Sequence, residues 1–451
     1  MLYRLVRASS LLLLALLMAC GERPGSRQPA VVPAREAGRT AGTVAPAVPR
    51  AGPTSYAQEA ATLTGAIDAA LQLLARQPEN AQTALETVAL TLERARLVGN
   101  YDDYRLAGSL LERARNVPNT GPWTCLALAR LHYVLHRLAQ AGAALAACAG
   151  TVDAVEAAGL RADIAFYSGR YREAEDGYRA LVNQVGDASQ YLRLAMLKSK
   201  TGAPGEAAAL LEAAEKRYHG LSAPTRAWFR LQRGLLAWER GRLDEALALY
   251  HLAADELPGW WRVDEQIAEV RRLNGDTAGA QALFEDIIAR SGQPEHMDEL
   301  ARLLREGRTP QAATPWIRRA QGLYRERLKA FPEAGLGHAV DHFLQFGTPV
   351  EALELARRNA QLRPFGEAQI ALAAALFRAG QAGEAALWIG RVQASGWNTA
   401  QLHAVAAQIF AALGRSAEAD RHRALALAMN PHAMRLYLVV PPVQPEIVSM
   451  S

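Results

Sequence analysis

From residue 60 onward the chain keeps returning to one hydrophobic pattern. Apolar side chains recur three and four positions apart, as at Ala246, Leu249, Tyr250 and Ala253, which is the spacing of one helix face. Between such runs stands a short element, Gly followed five positions later by Ala. It occurs as Gly169/Ala174, Gly202/Ala207, Gly241/Ala246, Gly275/Ala280, Gly347/Ala352, Gly380/Ala385 and Gly414/Ala419. Weaker copies are Gly99/Tyr104, His136/Ala141 and Gly307/Ala312. Successive copies lie 37, 33, 33, 39, 34, 32, 40, 33 and 34 residues apart. Gly at such a place ends a helix, because it accepts the left-handed C-cap conformation. Ala five residues on falls in the next helix, where a small side chain lets paired helices approach. The pattern therefore predicts an all-α chain of helix–turn–helix units.

This period is similar to the tetratricopeptide repeat, a helix–turn–helix unit of about 34 residues. Two further marks carry the resemblance. Ala162, Ala195, Gly234, Ala268, Ala373 and Ala407 supply a small residue about seven positions before the turn. Pro258, Pro364 and Pro431 stand near the end of the second helix. The resemblance implies nine to ten units over residues 59–435, stacked into a right-handed superhelix with a concave and a convex side. Residues 57–78 are expected to form a capping helix and residues 436–451 an extended tail. The long spacings predict inserted loops or longer helices near residues 216–226 and 318–335. Thr314-Pro315 reads as a helix N-cap and first turn, so the second helix of the Gly307 unit should start late.

The first 58 residues have no such period. Arg4 and Arg7 precede the apolar run Leu11–Ala19, too short for the roughly 20 residues that span a bilayer. A basic start, a short apolar run and a small residue before a cut read as a secretory signal peptide over 1–19. The cut itself, Leu17-Met18-Ala19-Cys20, resembles the lipobox of bacterial lipoproteins. That resemblance implies that Cys20 carries the lipid and anchors the chain. Gly21 stands where an Asp would retain such a protein in the inner membrane, so the outer membrane is expected. Residues 20–58 are rich in Pro, Gly and Ala and read as a disordered tether.

Charge sharpens the division. The formal net charge is +5, and all of it lies in residues 1–58, leaving the repeat region neutral. Such a balance argues against a surface that tracks nucleic-acid phosphates. Three Cys in the chain exclude a multi-cysteine metal site. In the repeat register Cys125 and Cys148 fall at ends of antiparallel helices that meet, so a disulfide is geometrically open to them, as is burial as two thiols. No phosphate loop or nucleophile elbow occurs, and no cofactor is expected. His338-Ala-Val-Asp341-His342 is the one arrangement with catalytic spacing; it resembles the inverted zinc-protease motif His-x-x-Glu-His. The register puts Asp341 on the concave side and the histidines nearer the packing side.

The repeat resemblance implies binding rather than chemistry. First-helix positions that line the concave groove of such proteins map here onto Asp163, Phe166, Tyr167, Trp228, Leu235, Trp238, Glu239, Arg262, Glu265, Glu269 and Arg272. Aromatics and Arg there suit a protein-binding surface. In Gly259-Trp260-Trp261 the adjacent rings cannot face one core side, so one is expected to be partly exposed. The expected function is a non-enzymatic adaptor lipoprotein of the bacterial envelope that binds proteins or peptide segments. The alternative is a metal-binding protein or hydrolase centred on His338, Asp341 and His342.

Overall fold

A computed structural model describes residues 55–439, except 116, 118–120, 149–151 and 308–309 and the side chains of 121–123. The signal peptide, Cys20 and most of the tether lie outside the described residues, as does the tail beyond Val439. Among the described residues there are 22 α-helices and no strand. None of these helices is long and apolar enough to cross a membrane.

The first helix, α1 (Tyr56–Arg76), starts on a Ser55/Gln58 capping box, so the helical region reaches back into residues assigned above to the tether. Ten helical hairpins follow: α2 (Ala81–Val98) with α3 (Asp102–Arg115), α4 (Gly121–Val134) with α5 (Leu138–Ala147), and α6 (Ala154–Tyr167) with α7 (Tyr171–Gln184). Next come α8 (Ala188–Lys200) with α9 (Pro204–Arg217), α10 (Ala223–Glu239) with α11 (Leu243–Glu256), and α12 (Trp261–Leu273) with α13 (Thr277–Ser291). The last four are α14 (Pro294–Glu306) with α15 (Thr314–Ala330), α16 (Leu336–Phe346) with α17 (Pro349–Leu362), α18 (Gly366–Arg378) with α19 (Ala382–Ala394), and α20 (Ala400–Ala412) with α21 (Ser416–Met429). A final turn, α22 (Ala433–Leu436), closes the array; Leu436, Tyr437 and Val439 are buried against it, so the start of the expected tail belongs to the domain. The fold is an all-α, tetratricopeptide-like solenoid.

Sequence chemistry explains each hairpin. Gly99, Gly169, Gly202, Gly241, Gly275, Gly380 and Gly414 take positive φ between the paired helices, and His136 takes the same conformation with φ 62°. Ala141, Ala174, Ala207, Ala246, Ala280, Ala352 and Ala385 are fully buried where the second helix meets the first. Gly234 lies against the Tyr250 ring, and a methyl group there would overlap it. Two turns depart from the pattern. Gly307 and Gly347 are extended. A 3-10 turn over Pro310–Ala313 follows the first, and α15 then starts late, with Ala313 rather than Thr314 at its N-cap. Ala312 is exposed, and Ala320 is the buried small residue of that helix. A Thr348/Glu351 capping box follows Gly347.

The solenoid coils tightly enough that successive turns touch. The Gln293 amide donates to the Gly99 carbonyl, 194 residues away, and Arg137 pairs with Glu333 across 196 residues. The Gly366 N–H donates to the Tyr171 hydroxyl across 195 residues, and Asn430 donates to the Glu239 carbonyl across 191. Asn398 N–H donates to the Lys200 carbonyl at 2.9 Å. The turn inside each of the first four hairpins thus meets the start of the hairpin six units later, and the fifth meets the segment before α22. Helix ends leave carbonyls without intrahelical partners, and this seam satisfies several of them.

Candidate functional site

Coiling decides where the expected groove residues go. First helices are the more buried of each pair, packed on neighbouring hairpins along their length and on an adjacent turn of the coil at their ends. Eleven of the 13 residues of α12 are buried, against four of the 15 in α13 on the outside. The positions expected to line an open groove are therefore mostly internal.

Asp163 accepts from Arg193 Nε at 3.1 Å and from the Tyr178 hydroxyl at 2.9 Å. Burial pushes its carboxyl above the usual range, against the pull of Arg193 and Tyr178. Phe166 and Tyr167 belong to an aromatic cluster that spans the seam, with Tyr133, Tyr171, Phe365 and Trp397 around them. Trp228 is fully buried with its ring 6.2 Å from that of Trp260. Both Trp260 and Trp261 are buried, contrary to the expectation that one would be exposed. Trp260 Nε1 donates to the Leu97 carbonyl across the seam, and the Trp261 ring lies against Gly99 of the same seam and against His296 of the next hairpin. Two adjacent rings can both be buried because the seam supplies a second core.

Charged members of the set are consumed the same way. Arg262 lies over the Trp261 ring, and burial lowers its guanidinium from the ordinary value against the pull of Glu265. Glu265 faces His296 Nδ1 at 3.4 Å. Glu269 is held by Arg272 at 2.7 Å and Arg302 at 3.0 Å, and Arg302 also takes Glu299. Removing one partner from such a buried network leaves an uncompensated charge, a cost of about 3–5 kcal/mol. Only Leu235 and Glu239 of the set are partly exposed.

Glu239 and Trp238 come together with residues the sequence did not single out. The Lys200 ammonium is buried and lies 2.6 Å from Glu239 and 3.2 Å from Glu367. Burial works against its charge, but the two carboxylates outweigh it and hold the ammonium above its ordinary value. Lys200, Trp238 and Glu239 border a cavity of about 290 Å³, with Asn398, Gln401, Met429 and Tyr437 opposite. Periodicity within one repeat could not reveal it, since its two walls lie one full coil apart.

The His-x-x-Asp-His segment does not converge. His342 Nδ1 is 2.7 Å from Asp298, inside a cage with Tyr324, Phe343 and Phe346. His338 faces Glu295 at 3.5 Å instead. Burial would raise the Glu295 carboxyl, yet Arg327 and His338 outweigh it and lower it to about 2. Among the described residues no group of three or more His, Cys, Asp or Glu side chains is placed to hold a metal. Cys125 and Cys148 are joined, with S–S 2.01 Å and Cα–Cα 5.8 Å, so the start of α4 is tied to the C-cap of α5.

No protein-family model matches the chain, and no curated protein does. Solved structures similar to it include a tetratricopeptide repeat protein from Parabacteroides merdae, at 16% identity and TM-score 0.34, covering 56% of this chain and 98% of that one. The type IV pilus biogenesis factor PilW is similar at 18% identity and TM-score 0.36, covering 48% and 95%. A third is the Naa15/Naa10 complex bound to HypK-THB, at 13% identity and TM-score 0.28, covering 82% and 67%.

Proposed function

We propose that this chain is a non-enzymatic scaffold lipoprotein of the bacterial cell envelope. It is anchored through a lipid on Cys20, faces the periplasm from the outer membrane, and engages protein partners. The observation that carries this reading is a ten-hairpin array whose inner titratable groups are locked in structural pairs, such as Arg302 with Glu269 and Asp163 with Arg193. An array of this kind has extended surface for docking. The lipobox-like Leu17-Met18-Ala19-Cys20 and the Pro- and Gly-rich stretch after it support an anchored, stand-off placement. The neutral repeat region favours protein over nucleic acid as the partner.

The test combines metabolic labelling with a palmitate analogue and crosslinked affinity capture from detergent-solubilised membranes. The wild-type chain should take the label and enrich a stoichiometric protein; Cys20→Ser should lose the label and leave the outer-membrane fraction. An unlabelled wild-type chain that enriches no partner would overturn the reading.

A further inference from the structure

The seam cavity is built by two turns of the coil together. One wall comes from the ends of α8 and α10, with Lys200, Leu236, Trp238 and Glu239; the other comes from Gln401, Met429 and Tyr437. Its volume of about 290 Å³ is at the lower edge of small-ligand pockets, which run roughly 300–1,000 Å³. A bulky cofactor does not fit such a space, but one large side chain with its peptide unit does.

Polar groups on the walls narrow the occupant. Gln401 is 6% exposed, and its side-chain amide nitrogen has no hydrogen-bond partner. A buried donor left unmet costs about 1–3 kcal/mol, so an occupant that brings an acceptor is favoured. The Glu239 carboxylate, 26% exposed, uses Oε1 for Lys200, and the group remains open to a donor. The Lys200 charge is already met by Glu239 and Glu367, which disfavours a bare anion. An acyl chain would suit Leu236, Trp238 and Met429 but would offer nothing to Gln401 or Glu239. A peptide unit supplies an acceptor, a donor and an apolar side chain at once.

We propose that the seam cavity receives one large apolar side chain of an extended partner peptide, whose backbone carbonyl accepts from Gln401 and whose N–H donates to Glu239. The proposal rests on the scaffold reading and gives it a site at the ends of first helices, where Trp238 and Glu239 of the expected groove set border the cavity.

The test uses the intact mature chain and a displayed library of random peptides. Ala428 is exposed at the cavity rim, so Ala428→Trp fills the space without touching the core. Enriched peptides should share a large apolar residue. They should bind Ala428→Trp at least about tenfold more weakly, with helix content unchanged. Gln401→Leu should weaken them about three- to tenfold through one lost hydrogen bond. Failure to enrich any peptide, or peptides that bind Ala428→Trp as tightly as wild type, would overturn the proposal. In that event a membrane partner that still co-purifies with Ala428→Trp leaves the scaffold standing and removes only the cavity.

Discussion

Inner and outer helices of this solenoid obey different rules. Outer α13 is amphipathic in the ordinary way, burying Ala280, Phe284, Ile287 and Ile288 along one stripe. Inner α12 buries Arg262, Glu265, Glu269 and Arg272 as well as its apolar residues. The difference comes from the packing: one second-helix face meets solvent, whereas first helices are covered by neighbouring hairpins and, at their ends, by an adjacent turn. Charges on the inner helices are thus held by partners on neighbouring hairpins. A charged inner position here is a structural element, although in one isolated hairpin it would be a surface group.

The largest effect should come from breaking an inner pair. Asp163→Ala strands Arg193 and the Tyr178 hydroxyl in the interior, and should cost about 3–5 kcal/mol in urea unfolding. A loss under about 1 kcal/mol, as for an exposed pair, would place Asp163 on an open groove after all. Trp260→Ala, which removes a ring at the seam and its bond to Leu97, should cost about 3–5 kcal/mol as well. Amide exchange should then rise at the ends of α2 and α12 together.

Smaller substitutions sharpen the contrast within the outer packing and the turns. Ala246→Leu should overpack the α10–α11 pair, at about 1–3 kcal/mol, because Ala246 is fully buried beside Gly234. An unchanged transition would count against the register. Gly241 and Gly275 both take positive φ, so an alanine at either should cost roughly 1–2 kcal/mol. At Gly241 the new methyl would also stand 2.6 Å from Pro431 across the seam, whereas Gly275 has open space around it. Gly241→Ala should therefore be the more damaging of the two; equal effects would mean that Pro431 does not press on that turn.

The smallest expected effect is a pH dependence at the C-terminal hairpin. Burial first, and then His422 at 2.8 Å and Arg421, lower the His403 imidazole to about 4; His422 is lowered by burial and Arg421, with Glu418 opposing. The Phe410 ring stacks on His422, and Asn398 accepts from His403 Nε2. A histidine with a depressed value favours its neutral form in the fold. Its contribution is fully present above about 6.5, the unfolded value, and is lost as pH falls toward about 4. The melting temperature should fall over that window, and His403→Phe with His422→Leu should flatten the change.

Much of the fold could be read from local pattern. The Gly and Ala positions placed most of the hairpins, and His136 kept the register where Gly is absent because it adopts the same left-handed turn. Pro258, Pro364 and Pro431 end second helices as expected. What the pattern could not convey is pitch. Whether Phe166 faces solvent or Trp397 depends on hairpins six units away, and no short spacing records that. The same blindness hid Lys200 and Gln401, which meet only when the coil closes. Gly347 looked like a turn glycine but is extended, because Thr348-Pro349 starts the next helix at once with its own cap.

The central claim is that the coil closes on itself, so that inner first-helix positions are interior. The most direct measurement is a double-mutant cycle across the seam between Phe166 and Trp397, whose ring centroids lie 6.0 Å apart. With Phe166→Leu, Trp397→Leu and the double variant, closure predicts a coupling of about 0.5–1.5 kcal/mol. Additive losses, agreeing within roughly 0.3–0.5 kcal/mol, would mean that the two turns do not touch and that the groove is open.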